Sequence, residues 1–524
     1  MQKINKTIAH YFTYLLLAIL FILSINLSYN AIFRHFDHDE YEHIHTTWYL
    51  TQSQLPYKDF YQHHNPLFWY ALAPIVAIFN SSSSVLIAGR IFMLLQVLAM
   101  GFLVFKITKL ITKNIQTSLL APIFLFSTPF FIEKSYEIRP DVPQVLFGLA
   151  SIYFLFHFLE TKRVKSWILS AVLATFSFLF LQKTIFLLIA YVPVFLYLLV
   201  TKKIAIKHIL FYGLAFLAPL LLFAIYLYGN QIFPDYILTN WLMNNSRTDS
   251  FSPTWIIKTN YGAFFFSITI ISSIVLLLFK KFSLSTKIVA FLALALLASI
   301  LMVNYPYLQY FLFPLPLLSV CLAIFISKIH LKFNPKSKLI FTILGSIGIL
   351  ALSFFYGKWQ ITLPVFIVLI ILSAIYLGLH YKKLVYGQIP QLCLIILLIL
   401  PAYYFSYETA TQKSNSLDRK VIDLVLTNSR PTDKVYDGNI NYNLFRPDLH
   451  YFWYSIGKDR GLDTYNRLTN NKYGDFNTCN LVITYKPKFI SDYGLDIKTC
   501  GLEGTYMEVI NRGQYLDAIY IRKN

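Results

Sequence analysis

The chain has 524 residues, of which 56% are hydrophobic and only 13% are Asp, Glu, Lys or Arg, and its mean hydropathy is +0.55. No water-soluble core needs that much apolar surface, so a soluble globular protein is excluded. The formal net charge of +20 points superficially to nucleic acid, but the Lys and Arg residues sit in short clusters between apolar runs, the pattern of cytoplasmic loops in a membrane protein, and nucleic acid is set aside as a partner.

A hydrocarbon layer about 30 Å thick takes about 20 apolar residues in helical form, because lipid offers no partner to an unpaired backbone group. In chain order the runs predict spans at 8–28, 85–106, 117–133, 141–160, 166–182, 184–201, 208–229, 259–279, 286–303, 306–327, 339–356, 360–379 and 388–406. The first run lacks a strongly basic leader and a clear small-x-small cleavage site before the next polar stretch and is read as a retained span. Basic clusters at Lys3/Lys6, Lys106/Lys109/Lys113, Lys162/Arg163/Lys165, Lys202/Lys203/Lys207, Lys280/Lys281/Lys287, Lys328/Lys332/Lys336/Lys338 and Lys382/Lys383 mark the cytoplasmic side. Two spans fit between successive clusters and one follows the last. The expected fold is therefore a polytopic α-helical membrane protein of about thirteen transmembrane helices, with its N-terminus cytoplasmic and its C-terminus extracytoplasmic. Residues 1–406 form the membrane domain, with a first outside loop at 29–84. Residues 407–524 read as a small extracytoplasmic α/β domain, helix-like at 418–426 and strand-like at 481–485 and 518–521. Cys479 and Cys500 share that tail, where an oxidising compartment permits a disulfide, whereas Cys321 and Cys393 fall in spans.

Function is sought in the long outside segments 29–84 and 230–258 and in the tail. In the first loop, 65–79 is apolar but short and contains Pro66 and Pro74, so it reads as an interfacial helix with Trp69 and Tyr70 at headgroup level. Tyr41, Ile44, Trp48 and Leu55 give 41–55 a helical spacing that would also lie along the membrane surface. This loop gathers Asp37, Asp39, Glu40, Glu42, Lys58, Asp59 and the histidines 35, 38, 43, 45, 63 and 64, out of 12 in the chain. A carboxylate here can act as general base towards an acceptor hydroxyl, and nearby cations can stabilise a phosphate leaving group. Asp37-x-x-Glu40 also fits a capping box for the following helix; capping would use Asp37 and Glu40 and leave Asp39 for an acceptor.

His38 with Glu42, and His64 with Asp59, could help hold a metal, while His63-His64 also fits polar interfacial packing. No tight ligand signature appears, so no cofactor is required and a divalent metal at His38, Glu42 and His64 stays open. At outside ends of spans stand Arg139 and Asp141, Lys183, and Gln309-Tyr310, where charges are costly unless used or solvated. Arg139 can pair with Asp141 or Glu137. Lys183 has no acid nearby in sequence and either snorkels or binds an anion.

The stretch DHDEYEHIHTTWYLTQSQLPYKDFYQHHNPLFWY, residues 37–70, carries an Asp-Glu pair, a Tyr-x-Asp turn and a polar-polar-Pro entry to an apolar helix. In these features the chain resembles bacterial membrane glycosyltransferases related to protein mannosyltransferases and aminoarabinose transferases, a glycosyltransferase family 39-like group with the C-type glycosyltransferase fold. The resemblance implies that Asp39 is the catalytic aspartate with Glu40 its neighbour, and that Tyr57 and Asp59 form a turn supporting the donor site. It implies that Lys183, in Leu-Gln-Lys-Thr, lies at the lipid-phosphate end, that Arg139-Pro-Asp141 is the family's Arg-Pro-Asp-like segment, and that 305–314 is its later Tyr-rich motif, with Gln309 and Tyr310. His64-Asn65-Pro66 stands where aminoarabinose transferases carry Glu-Lys-Pro, so Lys58, His63 or His64 would supply the missing cation. Gln54 replaces a Gly before the turn, and Gln182-Lys183-Thr184 replaces Thr-Lys-Gly.

The implied reaction is inverting transfer of a sugar from a polyprenyl-phosphate donor to a cell-surface glycan, lipid or protein acceptor at a bacterial inner membrane. Lys183, Arg139 and His64 would meet the phosphate, and 230–258, with Trp241, Asn244 and Asn245, would form a lid. The rival from another class is a transporter or flippase of lipid-linked saccharides, which would place charges near mid-membrane rather than gather them outside.

Overall fold

The computed structural model describes residues 2–246, 260–303, 307–328, 414–453, 461–474, 477–513 and 515–523. Helix α1 spans Gln2–Phe33, α2 His38–Thr51, α3 Leu67–Ile78, α4 Ser84–Thr112, α5 Ile115–Phe126, α6 Pro129–Lys134, α7 Asp141–Thr161, α8 Val164–Phe180, α9 Ile185–Val200 and α10 Ile206–Gly229. After a short helical run from Phe233 to Asn245 follow α11 Asn260–Leu278, α12 Leu284–Ser299 and α13 Pro314–Lys328. Six described helical stretches are long and apolar enough to cross a membrane: His10–Phe33, Ser84–Thr112, Asp141–Thr161, Gln182–Val200, Ile206–Gly229 and Leu284–Met302. Shorter apolar helices occupy four other predicted spans, at Ile115–Phe126, Val164–Phe180, Phe266–Leu278 and Pro314–Lys328. The predicted spans 339–356, 360–379 and 388–406 lie outside the described residues.

One expected span is broken. The run at 117–133 divides at Ser127-Thr128, because Pro129 has no N–H to continue the helix and pushes Thr128 into extended backbone (φ −82°, ψ 121°). The hydroxyls of Ser127 and Thr128 donate to the Phe124 carbonyl at 3.1 and 2.9 Å, so the break leaves that carbonyl satisfied inside a buried segment. The chain then turns through α6 and brings Lys134–Arg139 against the start of α2.

Both expected helices of the first loop form, and both are largely buried within the protein. Glu40 to Tyr49 of α2 are all buried. Trp69 of α3 is fully buried and donates its indole N–H to His43 Nδ1 at 3.1 Å, while its neighbour Tyr70 is 43% exposed. Both segments are thus covered by other parts of the protein: α3 packs on α2, and the tail lies against α2.

The tail contributes α14 (Ser416–Thr427), α15 (Gly461–Leu468), α16 (Thr478–Tyr485) and a four-stranded sheet in the order β1-β2-β4-β3, from Val435–Tyr436, Phe489–Ser491, Tyr506–Ile510 and Ile519–Arg522 numbered in chain order. Strand β1 pairs parallel to β2, and β4 runs antiparallel to both β2 and β3. The helix expected at 418–426 and the strand expected at 518–521 are present; the strand expected at 481–485 is helical instead. Asn477 caps that helix by accepting the N–H of Asn480 at 3.1 Å, and the Cys479–Cys500 disulfide, Cα–Cα 5.4 Å, holds its first turn. Capping and the cross-link outweigh the strand preference of Leu-Val-Ile. The boundary placed at 406/407 lies outside the described residues.

Candidate active site

The site is built on the N-terminus of α2. Asp37 is its N-cap: its Oδ1 accepts the N–H of Asp39 at 3.2 Å, and Glu40 Oε1 accepts the N–H of Asp37 at 2.9 Å, the reciprocal capping box expected from the sequence. Glu40 does more than cap. It is fully buried, meets Arg90 of α4 at 2.5 and 2.8 Å, and accepts the N–H of Ile138 at 3.2 Å. Arg90 in turn donates to the carbonyls of Ala31, Arg34 and His35, so one buried ion pair ties α1, α2 and α4 together.

Asp39 keeps 20% of its side chain exposed. Its Oδ2 pairs closely with the Arg139 guanidinium, and its Oδ1 lies 3.1 Å from His38 Nε2. Arg139 stands at the centre, 3.6 Å from both Asp37 and Glu137 and 3.7 Å from Asp141. Asp141, at the first position of α7, reaches Lys183 Nζ at 3.1 Å, and Lys183 lies 3.6 Å above the ring of Tyr310. The result is a continuous chain Asp39, Arg139, Asp141, Lys183, Tyr310, assembled from α2, the α6–α7 link, the α8–α9 turn and the segment before α13. Lys183 therefore has the acid that sequence proximity did not reveal, and Arg139 pairs with the loop as well as with both of its sequence neighbours. Lys183 opens on a cleft whose polar lining includes Asp141, Gln144, Gln309 and Tyr310, with Phe186, Leu296 and Phe313 as apolar walls.

Beneath the cap lies Lys134, 2.9 Å from Asp37 and 2.8 and 3.1 Å from the two oxygens of Glu137. Burial alone would raise the Asp37 carboxyl, but Lys134, His38 and Arg139 outweigh it and hold it well below the usual carboxylate range. Glu137 shows the opposite balance: burial pushes it up to about 7, although Lys134 and Arg139 draw it down. The exposed His38 is raised above its ordinary value, chiefly by Asp39 and, against burial, also by Asp37.

The rest of the first loop forms a second layer. Tyr57, buried at φ +71°, donates its hydroxyl to the His64 carbonyl at 2.6 Å, while Asp59 accepts the N–H of Leu55 at 2.7 Å; Lys58 and Asp59 are exposed on this turn. Asn65 donates to the Phe178 carbonyl and accepts from Tyr236 and Asn240, each at 3.0 Å. Trp241 donates to Tyr236 at 3.2 Å and Asn244 to the His63 carbonyl at 3.1 Å, so the described part of the expected lid seats on the His63–Asn65 turn. The candidate metal trio is not brought together. His38 groups with Asp37 and Asp39, whereas Glu42 groups with His63 and His64, their ligand atoms within 4.8 Å of one another. His38 and Glu42 share a face of α2 but stand one turn apart along it, so His38 meets Asp37 and Asp39 at the capped end while Glu42 meets the returning His63 and His64.

Arg90, Lys134 and Glu137 complete the site without having been singled out as site residues. Arg90 carries its own signal, a charge inside an otherwise apolar span. Lys134 and Glu137 are visible as an i,i+3 pair only once the chain break at Pro129 is known.

The tail closes over α2 from the far side. His45 Nε2 lies 2.7 Å from Asp448 Oδ2, Tyr49 donates to the same oxygen at 2.7 Å, and His45 Nδ1 lies 3.1 Å from the Leu444 carbonyl. Tyr451 donates to the Tyr57 carbonyl at 2.6 Å and Trp453 to the Tyr61 carbonyl at 3.1 Å.

Residues 63–228 match the model of the family described as dolichyl-phosphate-mannose-protein mannosyltransferase. Among solved structures the chain is similar to ArnT from Cupriavidus metallidurans, in the apo state (TM-score 0.67, 10% identity, 98% of each chain covered) and bound to undecaprenyl phosphate (TM-score 0.64, 12% identity, 97% of each). It is also similar to the arabinosyltransferase EmbB from Mycobacterium smegmatis, with a TM-score of 0.47 and 11% identity over 75% of this chain and 40% of that one. No curated protein sequence matches. The C-type membrane glycosyltransferase fold expected from the first loop is thus borne out across the chain, and the sequence resemblance across its matched part.

Proposed function

We propose that the chain is an inverting membrane glycosyltransferase that moves a sugar from a polyprenyl-phosphate donor to an extracytoplasmic acceptor, with Asp39 as general base. The observation that carries this reading is the juxtaposition of a partly exposed carboxylate with a run of cations that ends, at Lys183, in a cleft with apolar walls. A lipid phosphate needs both a cation and apolar walls, and the similar fold of ArnT has been solved with undecaprenyl phosphate.

In this mechanism the acceptor hydroxyl gives its proton to Asp39 as its oxygen attacks the anomeric carbon from the face opposite the phosphate. The new carbon–oxygen bond forms as the anomeric carbon–phosphate oxygen bond breaks, and polyprenyl phosphate leaves carrying the extra negative charge. Lys183 and Arg139 stabilise that charge through charge-assisted hydrogen bonds, with Tyr310 and Gln309 lining the path. Asp141 orients Lys183. Glu40, buried against Arg90, positions the turn from which Asp39 projects, and Asp37 and Lys134 fix that turn from below. Tyr57, Asp59 and Trp241 shape the substrate pocket, Lys58, His63 and His64 add positive charge toward the donor phosphate, and the Glu42–His63–His64 group is where a divalent metal would bind. The protein would lie in a bacterial inner membrane with its N-terminus cytoplasmic and this site on the outer face.

Reconstitution with a synthetic polyprenyl-phosphate sugar and a total envelope extract as acceptor tests the reading. Donor consumption with release of polyprenyl phosphate is expected from the native protein and not from Asp39→Asn. Undiminished turnover by Asp39→Asn would remove the general-base assignment. Movement of the intact donor across the bilayer without its consumption would replace the enzyme reading with a flippase.

A further inference from the structure

Strand β1 runs directly into the loop Asp437-Gly-Asn-Ile-Asn-Tyr-Asn443, in which oxygen-bearing side chains recur at every second residue. Asp437 is 4% exposed. Its Oδ2 accepts the backbone N–H groups of Asn441, Tyr442 and Asn443 at 2.8, 2.7 and 2.8 Å, so the chain curls tightly round one carboxylate oxygen. Its other oxygen, Oδ1, is buried and has no hydrogen-bond partner among the described residues.

Two more side chains of the same loop converge on a second carboxylate. Asp517, just before β4 and 5% exposed, accepts on a single oxygen the side-chain amides of Asn439 at 3.0 Å and Asn441 at 2.9 Å. Turning each carboxamide over exchanges its nitrogen for its oxygen and moves little else. Each carboxamide oxygen then stands about 3 Å from the same Asp517 oxygen, the spacing of neighbouring ligands in one coordination shell.

The donor set is two carboxylates and two carboxamides, with no thiol and no imidazole, which selects a hard cation. Magnesium demands a near-ideal octahedron and keeps much of its water, whereas calcium accepts six to eight protein oxygens in irregular arrangement. A first carboxylate wrapped by backbone amides, with further oxygen ligands two and four residues on, is also the opening of a calcium-binding loop.

We propose that the 437–443 loop and Asp517 form a calcium site, with Asp437 Oδ1, Asn439, Asn441 and Asp517 as ligands. The site has a route to the candidate active site. Asn443, which ends the loop, donates to Asp448 Oδ1 at 3.0 Å, and the other oxygen of Asp448 takes Tyr49 and lies against His45, both on the helix that carries Asp39 in its first turn. The ion orders the segment that clamps α2.

The test uses the full chain in detergent, stripped with a chelator and then titrated with calcium by calorimetry and with terbium by luminescence excited through Tyr442 and Tyr515. One saturable site with a Kd between about 10⁻⁵ and 10⁻³ M is expected. Asp517→Asn retains the shape of the side chain and is expected to raise that Kd at least about tenfold; Asn439→Ala should weaken binding as well, with both variants melting near the native temperature in the absence of calcium. Glu503→Gln, in the separate polar cleft lined by Asp492, Asp496 and Glu508, should bind as the native protein does. The proposal is overturned by the absence of saturable binding up to about 10 mM calcium, by native affinity in Asp517→Asn, or by binding of magnesium in preference to calcium. Each readout is independent of glycosyl transfer.

Discussion

At the start of α2 the carboxylates of Asp37, Asp39, Glu137 and Asp141 stand opposite Lys134, Arg139 and Lys183; in the 437–443 loop of the tail, Asp437 and Asp517 stand opposite backbone and side-chain amides. The first cluster carries its own countercharge and is poised to exchange one partner, since Asp39 and Lys183 each keep 20% of their side chain exposed. The second is nearly sealed and has no side-chain countercharge among the described residues. Carboxylates that look alike in sequence are thus set in different surroundings: side-chain cations face the first cluster, uncharged amides the second.

The comparison breaks most sharply at Asp39. Asp39→Asn keeps its size and removes its basicity, and transfer is expected to fall by about 10²–10⁴-fold, the usual contribution of a general base, with the melting temperature little changed. Rates from reconstituted protein check this. Glu40→Ala tests the neighbour in the opposite sense. It leaves the Arg90 guanidinium buried and unpaired, and a loss of about 3–5 kcal/mol is expected in stability, read from thermal or denaturant unfolding in micelles. A Lys183→Ala chain should fold and keep Asp39 in place but lose one charge-assisted hydrogen bond to the donor phosphate, worth about 1.5–3 kcal/mol, seen as weaker donor binding.

The smallest effect belongs to His38, which is 62% exposed. Its folded-state pKa is raised above the ordinary 6.5, chiefly by Asp39, with Asp37 and Glu42 adding to this and Arg139 opposing. The stability it lends is therefore present below pH 6.5 and lost as pH rises through the raised value. The melting-temperature gap between the native chain and His38→Gln should be widest in acid and close on the alkaline side. A gap constant across that window would show that His38 acts by packing alone.

Much of this was legible in the residues. The capping box was readable because Asp37 and Glu40 are three apart, and the membrane helices because apolar length is a local property. Long-range partnerships were not. Glu40 reads as a helix cap, and nothing local announces that Arg90, fifty residues on, neutralises it. Lys183 seemed solitary because Asp141 lies on another helix, and α16 looked like a strand because its cap and its disulfide partner Cys500 act from outside the segment. Burial of Trp69 was hidden for the same reason: an aromatic near the end of an apolar run looks interfacial until α2, with His43, is laid against it.

The bonds from Asp448, Tyr451 and Trp453 to the first loop have a consequence for how such chains can be recombined. Loop 29–84 and the segment 444–453 behave as two halves of one lock, so a hybrid that takes its membrane domain from one relative and its tail from another must take both halves from the same parent. A tail grafted without its matching loop would leave His45 and Tyr49 facing an unfitted surface, and the helix that presents Asp39 would lose its outer support.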